Sequence, residues 1–317
     1  MHVIEAIKNS RTPFISLEIT PPDKGHHIDE IYQVIDGLVK FNPAFINVTY
    51  HQPHVVYEEK NGVIYRIPKR KKPGTVGICS ALMNRYQIET VPHFICGGFS
   101  KYETEDALID LHYLGIQNIF TVRGDPPPGQ NIFIPEPDGN RYASELVRQV
   151  ANMNKGIYLE ELENAQPTNF CIGVAGYPEK HYEAPNFQKD LQYLKKKVDE
   201  GAHYIITQMF FDFKVFQNFV EAARAIGITV PILPGIKPIT STRQITTLPR
   251  DFHISLPPQL VEAMESASSP AQTRKIGIQY TVELCQKLIE YQVPGIHIYT
   301  MGKGTATQEL LEQLFKG

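Results

Sequence analysis

Eight short runs rich in β-branched and aromatic residues recur along the chain, at 14–19, 44–49, 90–95, 118–122, 169–175, 203–207, 230–233 and 295–299. Between them, segments such as 28–40, 104–114, 143–153, 187–200, 213–225 and 274–291 space their apolar residues three and four apart. Strand and helix therefore alternate from one end to the other. Strands joined through helical crossovers run parallel, because the helix returns the chain to start the next strand in the same direction. An open doubly wound sheet satisfies the same periodicity. Eight βα units in 317 residues favour the closed alternative, so the predicted fold class is α/β, a (β/α)8 TIM barrel.

At 42% hydrophobic and 21% charged residues the chain can bury a full core, yet its length is short for two independent α/β domains. A single catalytic barrel domain over 1–317 is expected. The formal net charge of −3 gives no electrostatic reason to seek nucleic acid or an anionic membrane, and a small-molecule substrate fits better. No stretch approaches the roughly eighteen continuous apolar residues of a membrane span, and MHVIEAIKNSRTPF lacks the apolar core of an export signal, so a cytoplasmic protein is expected. Cys79, Cys96, Cys171 and Cys285 form no CxxC pair, which predicts buried thiols rather than disulfides or a thiolate metal site.

Three stretches break the pattern. Residues 51–74 carry tyrosines and the run Lys69-Arg70-Lys71-Lys72 between Pro68 and Pro73, and read as a solvated surface insertion. His51 and His54 share an HxxH spacing without a third ligand, so no metal is predicted. Residues 125–140 and 234–253, crowded with Pro, Gly, Asp and Thr, each follow a strand and read as βα loops.

In such barrels the chemistry comes from strand carboxyl ends and the loops beyond them. Here those positions hold Glu18, Thr49 with Tyr50, His93, Arg123-Gly124-Asp125, Tyr177, Thr207 with Gln208, Pro234-Gly235, and Thr300 with Lys303. Any one of these alone reads as a solvated terminus or a helix cap. As a set they read as an active site. Glu18 stands out, because a carboxylate inside an apolar strand is costly when ionised and its pKa should rise, which suits a general acid. Asp125 beside Arg123 offers a second carboxylate that should stay ionised, although the two could equally tie down a loop as an ion pair.

The segments SLEITPP, INVTYH, VPHFIC, TVRGDPPPG, YASELV, VAGYPEKHYEA, KKKVDEGAHYIITQMFFD and LPGIKPI, in this order, resemble the methylenetetrahydrofolate reductases over nearly the whole chain. That family is a flavin-bearing (β/α)8 barrel which holds FAD without a G-x-G-x-x-G fingerprint, and no such fingerprint occurs here. The resemblance implies reduction of 5,10-methylenetetrahydrofolate to 5-methyltetrahydrofolate with NADH or NADPH, feeding methionine synthesis, in a protein whose relatives form dimers or tetramers. It implies Glu18 as general acid and Asp125 as the acid that holds the pterin and stabilises positive charge. It implies FAD contacts from Thr49, Tyr50, His93, Arg123, Gly124, Asp125, Tyr142, Ala143, Tyr177, His181, Ala184, Asp190, Lys196 and Lys197, with Lys197 the foremost cation for the diphosphate. On the substrate side it implies Asp125, Gln208, Gln244 and Lys303. Two positions depart from the family: Lys303 stands where many relatives carry arginine, and Leu248 where some carry an aromatic residue that packs on bound ligand. A pterin-dependent methyltransferase and a non-catalytic folate-binding subunit are the competing readings.

Overall fold

A computed structural model of the chain describes residues 1–126 and 132–315; Pro127, Pro128 and Gly129 of the TVRGDPPPG motif lie outside it. Its strands are β1 (Phe14–Ile19), β2 (Phe45–Val48), β3 (His54–Lys60), β4 (Val63–Lys69), β5 (Glu89–Ile95), β6 (Asn118–Val122), β7 (Cys171–Gly176), β8 (Tyr204–Met209), β9 (Ile232–Ile236) and β10 (Gly295–Tyr299). The helices are α1 (Val3–Asn9), α2 (Asp29–Asp36), α3 (Thr75–Tyr86), α4 (Lys101–Tyr113), α5 (Ala143–Met153), α6 (Phe187–Asp199), α7 (Phe213–Ala225), α8 (Arg243–Phe252), α9 (Pro258–Glu265), α10 (Pro270–Glu290) and α11 (Gly304–Leu314). Eight strands close into a parallel barrel in the order β1-β10-β9-β8-β7-β6-β5-β2. The predicted (β/α)8 barrel is the fold.

Alternation along each strand sorts side chains between two layers. Outward positions such as Ile15, Leu17, Ile46, Ile172, Ile205, Ile232, Ile236 and Ile298 pack under the helices in the larger apolar cluster. Inward positions Phe45, Val91, Phe120, Cys171, Tyr204, Ile206 and Leu233 fill the barrel, and Val3 and Ile7 of α1 pack beneath them. Because both faces are buried, the strands read in sequence as continuous apolar runs. Helix starts follow local chemistry: Ser100 accepts from Glu103 N at 3.2 Å while the Glu103 carboxylate takes Ser100 N at 2.8 Å, and Asn186 accepts from Lys189 N at 2.8 Å.

Two of the interrupting stretches hold more structure than predicted. Residues 54–69 form an antiparallel hairpin, β3 paired with β4, rather than a loop. The stretch 234–253 contains the end of β9 and the whole of α8. The hairpin is joined to its surroundings by an Arg66–Glu136 ion pair at 2.5 Å and by Lys72, which donates to Pro21 O at 2.7 Å and pairs with Asp23 at 3.0 Å. Among the described residues no helix is long and apolar enough to cross a membrane.

Candidate active site at the barrel mouth

The last inward position of each barrel strand, or the residue just beyond it, is polar at most points around the carboxyl end of the barrel. Glu18 occupies that position on β1, opposite Tyr299 of β10 and Asn47 of β2. Its carboxyl lies 3.5 Å from His93 Nε2 and 3.9 Å from His297 Nε2. Burial pushes the Glu18 carboxyl up to about 7, against a smaller opposing pull from His93. The same burial drives His93 down to about 4, and His297 down to about 3. Both imidazoles are therefore neutral near pH 7. Asn47 Nδ2 donates to His93 Nε2 at 3.1 Å, and Ser16 Oγ bonds His297 Nδ1 at 2.9 Å. A carboxyl held between two neutral imidazoles, without a cation to fix it as carboxylate, is a proton donor poised near neutral pH.

Arg123 follows β6, its carbonyl accepting from Cys96 N at 3.0 Å. The expected neighbour Asp125 is not its ion-pair partner. Arg123 pairs with Glu183 from the loop after β7, and its guanidinium lies 4.9 Å from the Phe133 ring centroid. Sequence reasoning could not reach Glu183, since the pairing is made only by closing β6 against β7. Gly124 has a φ of +86°, a backbone conformation that favours glycine, with Ile95 packed 3.3 Å from where a Cβ would stand. Asp125 is exposed at the rim, where its negative charge acts on both His51 and Tyr177.

Beyond β7, Tyr177 packs edge-on to His181 with ring centroids 4.8 Å apart. Asp190 accepts from His181 N at 2.9 Å, and Ala184 is buried. Lys197 turns inward from α6 to donate to Ala175 O, its ammonium 5.9 Å from the Tyr177 ring. Burial lowers Lys197 to about 8, opposed by Asp190. Lys196, one residue and roughly 100° round the helix, is exposed and does not join this cluster. Lys195 pairs with Asp199. Tyr142 is 47% exposed and opens α5 beside half-buried Ala143.

On the other side of the mouth, Gln208 of β8 accepts from Met209 N at 2.9 Å through its side-chain oxygen. Gln244 spends its oxygen on the start of α8, taking Thr240 N at 2.7 Å and Ser241 N at 3.2 Å. Leu248 is buried in a cluster with Met209, Phe211 and Ile254 rather than lining the mouth. Lys303 is exposed on the turn before α11. Lys237, beyond β9, was not singled out from sequence; its signal was a lysine two residues past the inward Gly235, in an otherwise apolar strand.

Around Arg123 and Tyr50, buried polar atoms lack partners: among the described residues Thr49 Oγ1, Tyr50 OH and Arg123 Nε have none. Orphaned donors and acceptors beside an inward lysine suit a ligand rich in hydroxyl, carbonyl and phosphate oxygens, as FAD is. The residues present therefore fit the cofactor that the resemblance implies.

The solved structure of an uncharacterized Clostridium thermocellum protein, described as binding two copies of 5-methyl-5,6,7,8-tetrahydrofolic acid, superposes with a TM-score of 0.56 at 15% identity, covering 97% of this chain and 96% of that one. At that identity the likeness speaks for the fold. In sequence, methylenetetrahydrofolate reductase (NADH) 1 of Arabidopsis thaliana is 31% identical over 95% of this chain and 48% of its own length. The 5,10-methylenetetrahydrofolate reductase of Escherichia coli is 29% identical over 95% of this chain and 90% of its own. The chain thus spans about half the length of several eukaryotic relatives and nearly all of the bacterial one. The methylenetetrahydrofolate reductase family model matches residues 3–315, and with the mouth so furnished the chain belongs to the methylenetetrahydrofolate reductase family.

Proposed function

We propose that this protein is an FAD-dependent methylenetetrahydrofolate reductase that converts 5,10-methylenetetrahydrofolate to 5-methyltetrahydrofolate with NADH or NADPH, in the cytoplasm, as a supply for methionine synthesis. The observation that carries the reading is Glu18: in a member of this family, a buried carboxyl pushed up to about 7 stands at the barrel mouth between two neutral histidines. The whole chain 1–317 is read as one catalytic domain bearing the 51–74 insertion, acting on small molecules as a homo-oligomer with neither nucleic acid nor membrane as partner.

FAD, when bound, supplies the hydride acceptor and donor. It would be held by Thr49, Tyr50, His93, Arg123, Gly124, Asp125, Tyr142, Ala143, Tyr177, His181, Ala184, Asp190 and Lys197, with Lys196 contributing only from its exposed face. Lys197 would meet the diphosphate. Opening the folate's five-membered ring releases an amine nitrogen and leaves a cationic iminium. Glu18 gives its proton to the departing nitrogen, and the neutral state of His93 and His297 keeps the carboxyl from being trapped as carboxylate. Asp125 holds the pterin and places negative charge beside the developing cation. Gln208, the amide nitrogen of Gln244 and Lys303 orient the rest of the folate.

The test is the visible spectrum of the purified protein, followed anaerobically through NADH and then methylenetetrahydrofolate. A flavin band that NADH bleaches and the folate restores, with the second step lost in Glu18→Gln, is the expected result. A colourless protein that FAD cannot reconstitute would overturn the reading.

A further inference from the structure

Lys237 follows β9, whose Ile232 and Ile236 face the helices while Leu233 faces the barrel interior. Gly235 packs against Tyr299 and the Thr207 carbonyl, on the same inward side. Alternation therefore carries Lys237 inward at the mouth, next along β9 above Gly235. The residue is only 8% exposed. Among the described residues no hydrogen bond or ion pair reaches its ammonium, and the charged group that acts on it most is a like one, Lys303 from the turn after β10.

Other lysines drawn toward the protein differ in this respect. Lys72 has the Pro21 carbonyl and Asp23, Lys180 has three carbonyls, and Lys197 has the Ala175 carbonyl. Holding a lysine largely out of water without an acceptor beside a second cation is unfavourable, and burial with Lys303 pushes Lys237 down to about 8. An arriving oxyanion relieves both costs. Lys303 at the rim offers a point charge, and a second point charge deeper in the mouth makes two-centre recognition of an oxyanion possible.

We propose that Lys237 and Lys303 together form a two-cation subsite for an oxyanion of the incoming substrate. That oxyanion is either a carboxylate of the folate glutamyl tail or the diphosphate of the nicotinamide dinucleotide. The inference rests on the functional reading above and adds to it a residue that the family resemblance did not supply.

The test measures equilibrium dissociation constants of the flavin-loaded protein for two unreacting probes, 5-methyltetrahydrofolate with the flavin held reduced under anaerobic conditions and 1,4,5,6-tetrahydro-NAD with the flavin oxidised. Wild type is compared with Lys237→Met, which keeps the methylene volume, and with Lys237→Gln in case the first variant does not fold. Loss of the charge-assisted contact is expected to weaken one probe by about tenfold or more while the other changes less than twofold. The probe that weakens names the source. If the folate arm responds, removing the glutamate from the probe should abolish the difference between wild type and variant. Both constants staying within twofold of wild type in the folded variants would overturn the subsite while leaving the reductase reading intact. A wild-type protein that takes up no flavin and neither probe would overturn both.

Discussion

The carboxyl of Glu18 stays protonated in the folded chain over a range in which it ionises in the unfolded chain, because burial has moved it from 4.5 to about 7. Between those values the folded state binds more protons than the unfolded state, so stability falls as pH rises and levels off above about 7. The penalty at pH 8 is about 3 kcal/mol. Glu18→Gln cannot ionise, so denaturant unfolding should find the variant more stable than wild type by up to that amount at pH 8, with the gap closing toward pH 4.5. A gap independent of pH would mean that the carboxyl is not the strained group. The same ionisation should limit chemistry: reoxidation of reduced flavin by methylenetetrahydrofolate should fall with unit slope above pH 7, where the donor form is lost. Lys197 makes a separate case. With its ammonium inward, Lys197→Met should weaken flavin binding by about tenfold or more in a fluorescence titration, and Lys196→Met, on the exposed face, should leave it within twofold.

Elements were legible where their burial pattern was uniform. β1, β6 and β10 coincide with the apolar runs at 14–19, 118–122 and 295–299, since a strand buried on both faces needs apolar residues at nearly every position. β9 extends to Ile236 past the run ending at 233, because Pro234 and Gly235 look like a loop when read alone. Gly235 is nevertheless a strand residue, small because Tyr299 and the Thr207 carbonyl occupy the space of a side chain. The hairpin was hidden by its charges, although Asn61-Gly62 between VVY and VIY carried its signature. Both residues take positive φ, 54° and 75°. At the mouth, Glu18 stood out as a carboxylate set in an apolar strand, whereas Lys197 stood out only through the family resemblance, since a lysine run on a helix reads by itself as a solvated face. Glu183 and His297 did not stand out, as each acquires its partner only through barrel closure. Replacing Asn61-Gly62 with Ala-Ala adds a Cβ at the left-handed position 62 and removes at 61 the short polar side chain that tolerates that region, at a cost of about 1–2 kcal/mol, most of it at 62. Amide exchange across 54–69 should accelerate, and exchange in the barrel strands should stay unchanged if the hairpin is an independent ribbon.

Across the whole molecule the barrel divides its labour between its two ends. At the carboxyl end, buried polar atoms are left without partners and titratable groups sit far from their ordinary values, the pattern expected where a fold gives up stability for a functional site. At the amino end the side chain of Asn118 is fully engaged. Asn118 opens β6 fully buried, accepts Val3 N at 2.7 Å, and donates to Met1 O at 2.9 Å and to Glu89 at 3.0 Å, which fastens α1 across the barrel floor. Asn118→Ala would leave the buried Val3 amide without its acceptor and take one donor from Glu89, which keeps the Met1 ammonium at 2.6 Å, a loss of about 1–3 kcal/mol. Yet it lies a strand's length from Arg123 and Lys197. Thermal unfolding should therefore show a clear drop in Tm for Asn118→Ala, while the flavin dissociation constant of the folded variant stays within twofold of wild type. Lys197→Met should show the reverse, with little change in the Tm of the flavin-free protein and a weakened flavin. If Asn118→Ala also released flavin at temperatures well below its Tm, the floor and the mouth would be mechanically coupled through the strands, and stability could not be engineered at one end without altering the other.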